Sequence, residues 1–151
     1  MIRPMTSRDL DAVMRLESAT PEAPHWKRST YETLLSRPGA AHLLVAKERG
    51  RVVGFLVAQA IADICELESI VVDPASRRAG VGKALFKWLI DSARKLGLSC
   101  IQLEVRSGNN SAIAFYEAIG FARDSLRPHY YHDPEEDAVL MTLPLKSDAE
   151  M

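Results

Sequence analysis

The spacing of apolar and polar positions along the chain predicts both strands and helices. Apolar runs of six to eleven residues predict strands, because a strand presents one or two faces to a core. The runs are 42–47, 51–61, 66–72, 99–105, 121–126 and 138–143. Apolar residues recurring every three or four positions predict helices with one buried side. These segments are 6–19, a short helix that opens at Ser29 and ends at Pro38-Gly39, 80–96 and 110–119.

The order of these segments predicts the architecture. A hairpin turning at Arg49-Gly50 is followed by strand, helix, strand, helix and two final strands around a polar loop. This order is typical of a single α/β domain with a mixed, mostly antiparallel central sheet flanked by helices. We expect the domain to span residues 1–145, with a disordered tail at 146–151.

Composition narrows the class of protein. The 151 residues suffice for one core, and the formal net charge of −1 gives no overall attraction to nucleic acid or to an anionic membrane. Cys65 and Cys100 lie in predicted strands, where reduced buried thiols are expected rather than a disulfide. No apolar run approaches the length of a membrane span or a signal peptide, so a cytoplasmic location is expected.

The most informative segment joins the strand at 66–72 to the helix at 80–96. It places Arg77 and Arg78 before Gly80, Gly82 and Lys83 at the start of the helix. A helix N-terminus has unpaired N–H groups and a positive dipole end, which together bind phosphate. Glycine costs roughly 1 kcal/mol inside a helix relative to alanine, so two of them beside cations favour a phosphate site over an ordinary helix start.

The same segment resembles the acetyl-CoA loop of the GNAT (GCN5-related N-acetyltransferase) superfamily, written Q/R-x-x-G-x-G/A. Arg77 stands where glutamine is frequent in that pattern. The resemblance extends to Leu67–Pro74, to Leu103-Glu104-Val105-Arg106 and to Ala114–Phe121, and it covers essentially residues 1–145. Within the superfamily the pattern is similar to the RimI type, whose members acetylate the N-terminal alanine of a ribosomal protein.

The resemblance implies acetyl-CoA as cosubstrate and assigns residues to it. The backbone of the strand end would pair with the pantetheine arm, the helix start would hold the pyrophosphate, and Asn109 would contact the cofactor arm. The implied residues are Ile70, Val71, Val72, Arg77, Arg78, Ala79, Gly80, Val81, Gly82, Lys83 and Asn109. No metal is expected, because His129 and His132 lack a third ligand at a known spacing.

The resemblance also implies a catalytic pair. Acetyl transfer needs a base to deprotonate the amine and an acid for the leaving thiolate, and the matching positions are Glu104 and Tyr116. From the residues alone, Glu104 also fits a solvent-facing strand position and Tyr116 an ordinary core stripe. Glu68 is a second candidate base, because several GNAT enzymes carry a glutamate on the corresponding strand.

The acceptor is expected to be a protein or peptide N-terminus, most of all the alanine of a ribosomal protein. His25 and Trp26 would line one wall of the peptide groove, and Tyr130 and Tyr131 the other. The alternatives are an acetyltransferase of a small-molecule amine or amino acid, and a CoA-binding regulatory module without turnover. The acidic run 135–137 is either a solvated loop or an attraction for a basic substrate.

Overall fold

A computed structural model describes residues 1–37, 41–77 and 79–146. The chain divides into two compact units. The first unit combines Met1–Ala60 with Leu67–Ser92, and the second combines Ile61–Glu66 with the chain from Ala93 onward. Within the described ranges, seven strands form one mixed sheet in the order β1-β2-β3-β4-β5-β7-β6, and four α-helices flank it. The predicted fold class is confirmed.

The strands and helices follow one another in the predicted order, with one short strand at the start, β1, that the sequence analysis does not predict. The strands are β1 (Ile2–Pro4), β2 (Ala41–Glu48), β3 (Arg51–Ile61), β4 (Ile64–Val72), β5 (Cys100–Arg106), β6 (Ala122–Tyr131) and β7 (Glu136–Pro144). The helices are α1 (Leu10–Ser18), α2 (Arg28–Leu35), α3 (Val81–Lys95) and α4 (Asn110–Ile119).

The first unit is built around an aromatic cluster. Tyr31 of α2 and Phe55 of β3 are fully buried, and their rings meet edge to face with centroids 6.1 Å apart. Strands β2 and β3 pair antiparallel, which places Val45 opposite Phe55. Val13 of α1 is also completely buried in the same cluster. Burial of this apolar surface is the main force that holds the helices against the hairpin.

Two buried carboxylates brace the first unit. Asp9 is paired with the Arg3 guanidinium at 2.8 Å, and this hydrogen-bonded ion pair lowers the pKa of the Asp9 carboxyl. Glu17 is fully buried and accepts hydrogen bonds from the Tyr31 hydroxyl and the Trp26 backbone N–H. A buried charge is costly unless it is paired or hydrogen-bonded. The donors to Asp9 and Glu17 therefore contribute to the stability of the first unit.

The second unit is built on β5. Its side chains alternate between buried and half-buried, with Leu103 and Val105 facing the core. β5 pairs antiparallel with β7 along its whole length, and its first residues pair parallel with Ile64–Glu66 of β4. β6 then pairs antiparallel with β7. The predicted catalytic residues Glu104 and Tyr116 lie on β5 and α4 of this unit, and Tyr130 and Tyr131 lie at the end of β6.

The end of β6 and the start of α2 differ from the predictions. β6 runs on to Tyr131 instead of ending near Leu126, and every residue before Tyr131 in it is exposed, so no apolar alternation marks it. α2 begins at Arg28, whose guanidinium pairs with Asp11 at 2.6 Å, one residue before the predicted start. The predicted helix end at Pro38-Gly39 and the tail from 147 to 151 lie outside the described residues.

Candidate active site

The turn between β4 and α3 carries the predicted phosphate loop. The Asp73 carboxylate accepts a hydrogen bond from the Ala75 N–H at 3.0 Å and caps a short 3-10 turn, Pro74–Ser76. Gly80 then adopts the left-handed backbone conformation with φ of 80°, and α3 begins at the next residue, Val81. Because this conformation strains residues with a Cβ, the turn itself requires a glycine at position 80.

The first turn of α3 fits a pyrophosphate. The Ala84 N–H donates to the Gly80 carbonyl at 3.0 Å, and the N–H groups that precede it lie where a helix leaves its donors without internal acceptors. The Arg77 and Lys83 side chains are exposed and bring two positive charges to this turn. Backbone donors, dipole and cations together suit a dianionic group. Arg78 lies outside the described residues, and its assigned role stays a prediction.

The end of β4 packs closely against β3 through a glycine that sequence reasoning did not single out. A Cβ placed on Gly54 would lie 3.0 Å from the Val71 carbonyl oxygen and 3.1 Å from Val81 Cγ1. Any larger residue at Gly54 would therefore push apart the strand end and the helix start. Val71 is buried, whereas Ile70 and Val72 are half-buried. The pairing of this strand end with the pantetheine arm stays a prediction.

We expect Gly82→Leu to weaken acetyl-CoA binding about tenfold, which corresponds to ~1.4 kcal/mol. The added side chain would stand in the first turn of α3, where the pyrophosphate is expected to approach the backbone, while leucine itself favours the helix. Isothermal titration with acetyl-CoA measures the effect. Ala84→Leu, at an exposed position two residues further along, is the matched control and should bind normally. An unchanged Kd for Gly82→Leu would contradict the assignment.

Glu104 has one paired and one unpaired carboxylate oxygen. Its side chain is 23% exposed, and Oε1 lies 3.2 Å from Nη1 of Arg127 on β6. Oε2 is buried and has no hydrogen-bond partner in the described part of the chain. The residue is therefore not the free solvent-facing side chain that strand alternation alone allows. A carboxylate with a buried, unsatisfied oxygen is suited to accept one further donor.

Tyr116 is a half-buried residue of α4 with aromatic neighbours. The ring lies 5.6 Å from that of Phe115 and 5.9 Å from that of Phe121, measured between centroids. Burial raises the pKa of Tyr116 to about 12, with a smaller contribution from Tyr131. The hydroxyl therefore keeps its proton throughout the neutral range, as a proton donor must.

Tyr131 links the two candidate catalytic residues. Burial raises the pKa of Tyr131 to about 12, and the negative charge of Glu104 adds to the effect. The same tyrosine interacts electrostatically with Tyr116. Tyr131 therefore lies within electrostatic range of both Glu104 and Tyr116 in the second unit. Tyr130 packs edge to face on Tyr131, with centroids 5.1 Å apart, and is 46% exposed.

Arg106 is a residue of this region that sequence reasoning missed. Its guanidinium donates to the carbonyl oxygens of His132 and Pro134, at 3.3 and 2.9 Å, and pairs with Glu136 at 3.3 Å. It also lies 4.5 Å above the Tyr131 ring. These contacts tie the β6–β7 loop to the end of β5. The only available signal was the arginine in the Leu-Glu-Val-Arg motif.

The acidic run 135–137 is occupied by contacts within the loop. Glu136 also accepts the Gly108 N–H at 2.6 Å, and Asp137 accepts the His129 N–H at 2.9 Å. Glu135 lies 2.6 Å from the His129 ring. These carboxylates stabilise the β6–β7 hairpin. This structural role differs from both interpretations made from the sequence, a solvated loop and an attraction for a basic substrate.

The remaining predicted residues lie in different environments. Trp26 is half-buried and packs on Tyr31 with ring centroids 5.6 Å apart, whereas His25 is exposed. Glu68 is an exposed residue of β4 in the first unit. The Asn109 side-chain oxygen accepts a hydrogen bond from the Ala112 N–H at 3.3 Å and caps α4. This oxygen therefore already has a structural role. Their predicted roles at the substrate and the cofactor stay predictions.

Comparison with known proteins identifies the family. The model of the acetyltransferase (GNAT) family matches residues 10–121. The chain belongs to the GNAT acetyltransferase family. It is 35% identical over 147 residues to the [ribosomal protein bS18]-alanine N-acetyltransferase of Escherichia coli K12, covering 95% of this chain and 97% of that protein. The predicted resemblance to the RimI type is confirmed.

Solved structures of GNAT proteins show the same fold. The crystal structure of the ribosomal-protein-S18-alanine N-acetyltransferase from Escherichia coli matches with a TM-score of 0.86 at 33% identity, over 97% of this chain and 94% of that one. The structure of yncA from Salmonella typhimurium, solved with its cofactor acetyl-CoA, matches with a TM-score of 0.83 at 22% identity, over 97% and 94%.

This GNAT protein is an N-acetyltransferase that uses acetyl-CoA as donor. The residues around the first turn of α3 fit the cosubstrate, as described above. In the described ranges, no group of three or more His, Cys, Asp or Glu side chains is placed to hold a metal ion. Among the same residues, no helix is both long and apolar enough to cross a membrane.

Proposed function

We propose that this enzyme acetylates the α-amine of a protein N-terminus, with the alanine of a ribosomal protein as its main acceptor. The observation that carries the proposal is the match over nearly the full length of both chains to an enzyme named for that reaction. The second unit supports it, because Tyr131 lies there within electrostatic range of both Glu104 and Tyr116. Acetylation of a ribosomal protein would take place in the cytoplasm.

Glu104 is assigned as the base. An α-amine has a pKa near ~7.7–8.0 and is largely protonated at neutral pH, so it must lose a proton before it attacks. In this proposal the Oε2 oxygen, which has no hydrogen-bond partner in the described residues, accepts that proton directly or through one water, while Oε1 stays paired with Arg127. The amine lone pair then forms the new C–N bond to the acetyl carbonyl carbon.

Tyr116 is assigned as the acid. The C–S bond of the thioester breaks as the amide forms, and the departing sulfur carries the electron pair. The Tyr116 hydroxyl, which is protonated at neutral pH, supplies the proton that this sulfur needs. The proton taken up at Glu104 leaves to solvent. After the C–N bond has formed, the nitrogen loses its remaining ammonium proton to solvent, and a proton from solvent restores Tyr116, so each turnover ends with the enzyme unchanged and one proton released.

Tyr130 and Tyr131 are assigned to the acceptor peptide. Their rings pack edge to face at the end of β6. The guanidinium of Arg106, on β5, lies over the Tyr131 ring and holds it in position. Aromatic rings on a rigid support bind a peptide chain with little loss of side-chain freedom. His25 and Trp26 are assigned to the same acceptor, with Trp26 held by its backbone hydrogen bond to Glu17.

The test is thiol release from acetyl-CoA with three acceptors. We expect rapid turnover with an alanine-initiated peptide, and none with the same peptide already acetylated at its N-terminus. Alanine amide alone should be a poor acceptor, because it lacks the chain that the tyrosines bind. Faster turnover of the small amine would support the small-molecule alternative, and absence of turnover with every amine would support a non-catalytic CoA-binding module.

A second measurement identifies the acceptor in cells. Mass spectrometry of protein N-termini from cells with and without the gene should show loss of acetylation at an alanine of a ribosomal protein. If the lost acetyl groups lie only on proteins outside the ribosome, the enzyme class stands and the named acceptor is wrong.

A further inference from the structure

The pairing of Glu104 with Arg127 places a positive charge beside the assigned base. The two groups come from different strands, β5 and β6, and lie 3.2 Å apart between Oε1 and Nη1. Arg127 is 55% exposed, and its guanidinium carbon lies 5.6 Å from the centre of the Tyr130 ring. None of the catalytic steps proposed above uses this arginine.

A carboxylate base creates a difficulty for amine acetylation. Its negative charge attracts the acceptor amine, but it also stabilises the ammonium form, which has no lone pair and cannot attack. A base of this kind is more effective when a second charge offsets that stabilisation. A cation within about 4–6 Å of the amine has this effect, because like charges disfavour the charged form.

The geometry of Glu104 places such a cation. Its unsatisfied oxygen, Oε2, is the position at which the acceptor nitrogen would bind, and its other oxygen already contacts Arg127. Both oxygens belong to one carboxylate. An amine bound at Oε2 would therefore lie roughly 4–6 Å from the charge of Arg127, the range in which one charge shifts the pKa of another group.

We propose that the Arg127 guanidinium favours the neutral, reactive form of the acceptor amine bound at Glu104. The inference rests on the proposed function, since it takes Glu104 as the base. Arg127 acts through its charge and need not touch the reacting atoms. Its side chain also fixes the rotamer of Glu104, which is a separate contribution that the experiment must distinguish.

Other charged and titratable groups surround the same carboxylate. Arg106 lies on the same strand, two residues away, and is neutralised by Glu136 of β7. Tyr131 of β6 and Tyr116 of α4 carry no charge at neutral pH, and burial raises the pKa of each further, to about 12. Of these groups, Arg127 is the cation that contacts Glu104 directly.

The test compares pH profiles of kcat for three variants with an alanine-initiated peptide. Because kcat reports the protonation of the enzyme–substrate complex, its acid limb reports the bound amine together with the base. Arg127→Gln keeps a donor for Glu104 but removes the charge, and should move the acid limb upward by about 0.5–1 pH unit, as expected for one charge in a partly aqueous setting.

Two matched variants separate charge from structure. Arg127→Lys keeps the charge, so the pH of its acid limb should stay close to the wild-type value. This holds even if its maximal kcat falls because the rotamer of Glu104 is less well fixed. Arg123→Gln removes a cation from the same strand that pairs with Glu117 at 3.9 Å, and its limb should match the wild type. Thermal melting confirms that each variant is folded.

The outcomes distinguish this inference from the function on which it rests. If the wild type turns over and the acid limb of the kcat profile of Arg127→Gln lies at the wild-type pH, the proposed role of Arg127 is wrong. The proposed function is then unaffected. An equal shift in Arg127→Lys and Arg127→Gln also overturns the role of Arg127, because the charge would then be irrelevant. No turnover by the wild type at any pH overturns the proposed function and this inference with it.

Discussion

Tyr116→Phe is expected to lower kcat by about 10²–10⁴-fold, the usual contribution of one acid–base group. The substitution keeps the ring, so its contacts with Phe115 and Phe121 remain and the fold is preserved. It removes only the hydroxyl that is assigned to protonate the leaving thiolate. Steady-state kinetics at saturating acetyl-CoA and peptide measure the effect.

Two further measurements make the result for Tyr116→Phe decisive. Calorimetric binding of acetyl-CoA and the thermal midpoint should both stay close to the wild-type values, which shows that the loss is in catalysis. A variant that is folded, binds acetyl-CoA and turns over at nearly the wild-type rate would show that Tyr116 serves only to pack α4.

Glu104→Gln is expected to lower kcat/KM by about 10²–10³-fold at pH 7 and to recover as the pH rises above ~8. Glutamine keeps the shape of the side chain and an oxygen for Arg127, but it cannot take up a proton. Above the pKa of the amine, solvent supplies the neutral nucleophile and the base becomes unnecessary. Profiles of kcat/KM from about pH 6 to pH 10 with one alanine-initiated peptide show the recovery.

Glu68→Gln is the matched control for the base. Glu68 lies exposed on β4 in the first unit, and we expect its profile to follow the wild type. If instead Glu68→Gln shows the alkaline recovery and Glu104→Gln does not, the glutamate on β4 is the base and the assignment to β5 is wrong.

Periodicity predicted most of the fold because most elements bury one face. β5 alternates strictly, with Leu103 and Val105 inside, and α3 carries apolar residues on one side, so the sequence identifies both. β6 is the opposite case. Its residues before Tyr131 are all exposed, and its position depends on hydrogen bonds to β7, for which the identity of the side chains matters little.

The candidate site was predictable where a motif is local in sequence, as at the phosphate loop. The contacts of Glu104 and Arg106 were not predictable in this way. Arg127 is 23 positions from its partner Glu104, and Glu136 is 30 positions from Arg106, as the residue numbers give. Such pairs form only when β5, β6 and β7 come together, and the sequence pattern around each residue is that of an ordinary polar strand.

Packing also changed the interpretation of one predicted substrate residue. Trp26 is predicted to line one wall of the peptide groove. The structure shows that its ring packs on Tyr31 and its backbone N–H donates to the buried Glu17. Part of the side chain therefore stabilises the first unit, so replacing Trp26 would lower stability as well as any affinity for the acceptor.

The attachment of the β6–β7 loop to β5 has a consequence for how acceptor preference can diverge among related enzymes. Arg106 holds the loop mainly through the carbonyl oxygens of His132 and Pro134, and backbone carbonyls are present whatever the side chains. The exposed side chain of His132 can therefore be exchanged while the loop keeps its position, whereas Glu135 pairs with His129 and Asp133 has a positive φ of 54°. In the proposed function, acceptor preference would then change through position 132 while Arg106, Gly108 and Glu136 are retained.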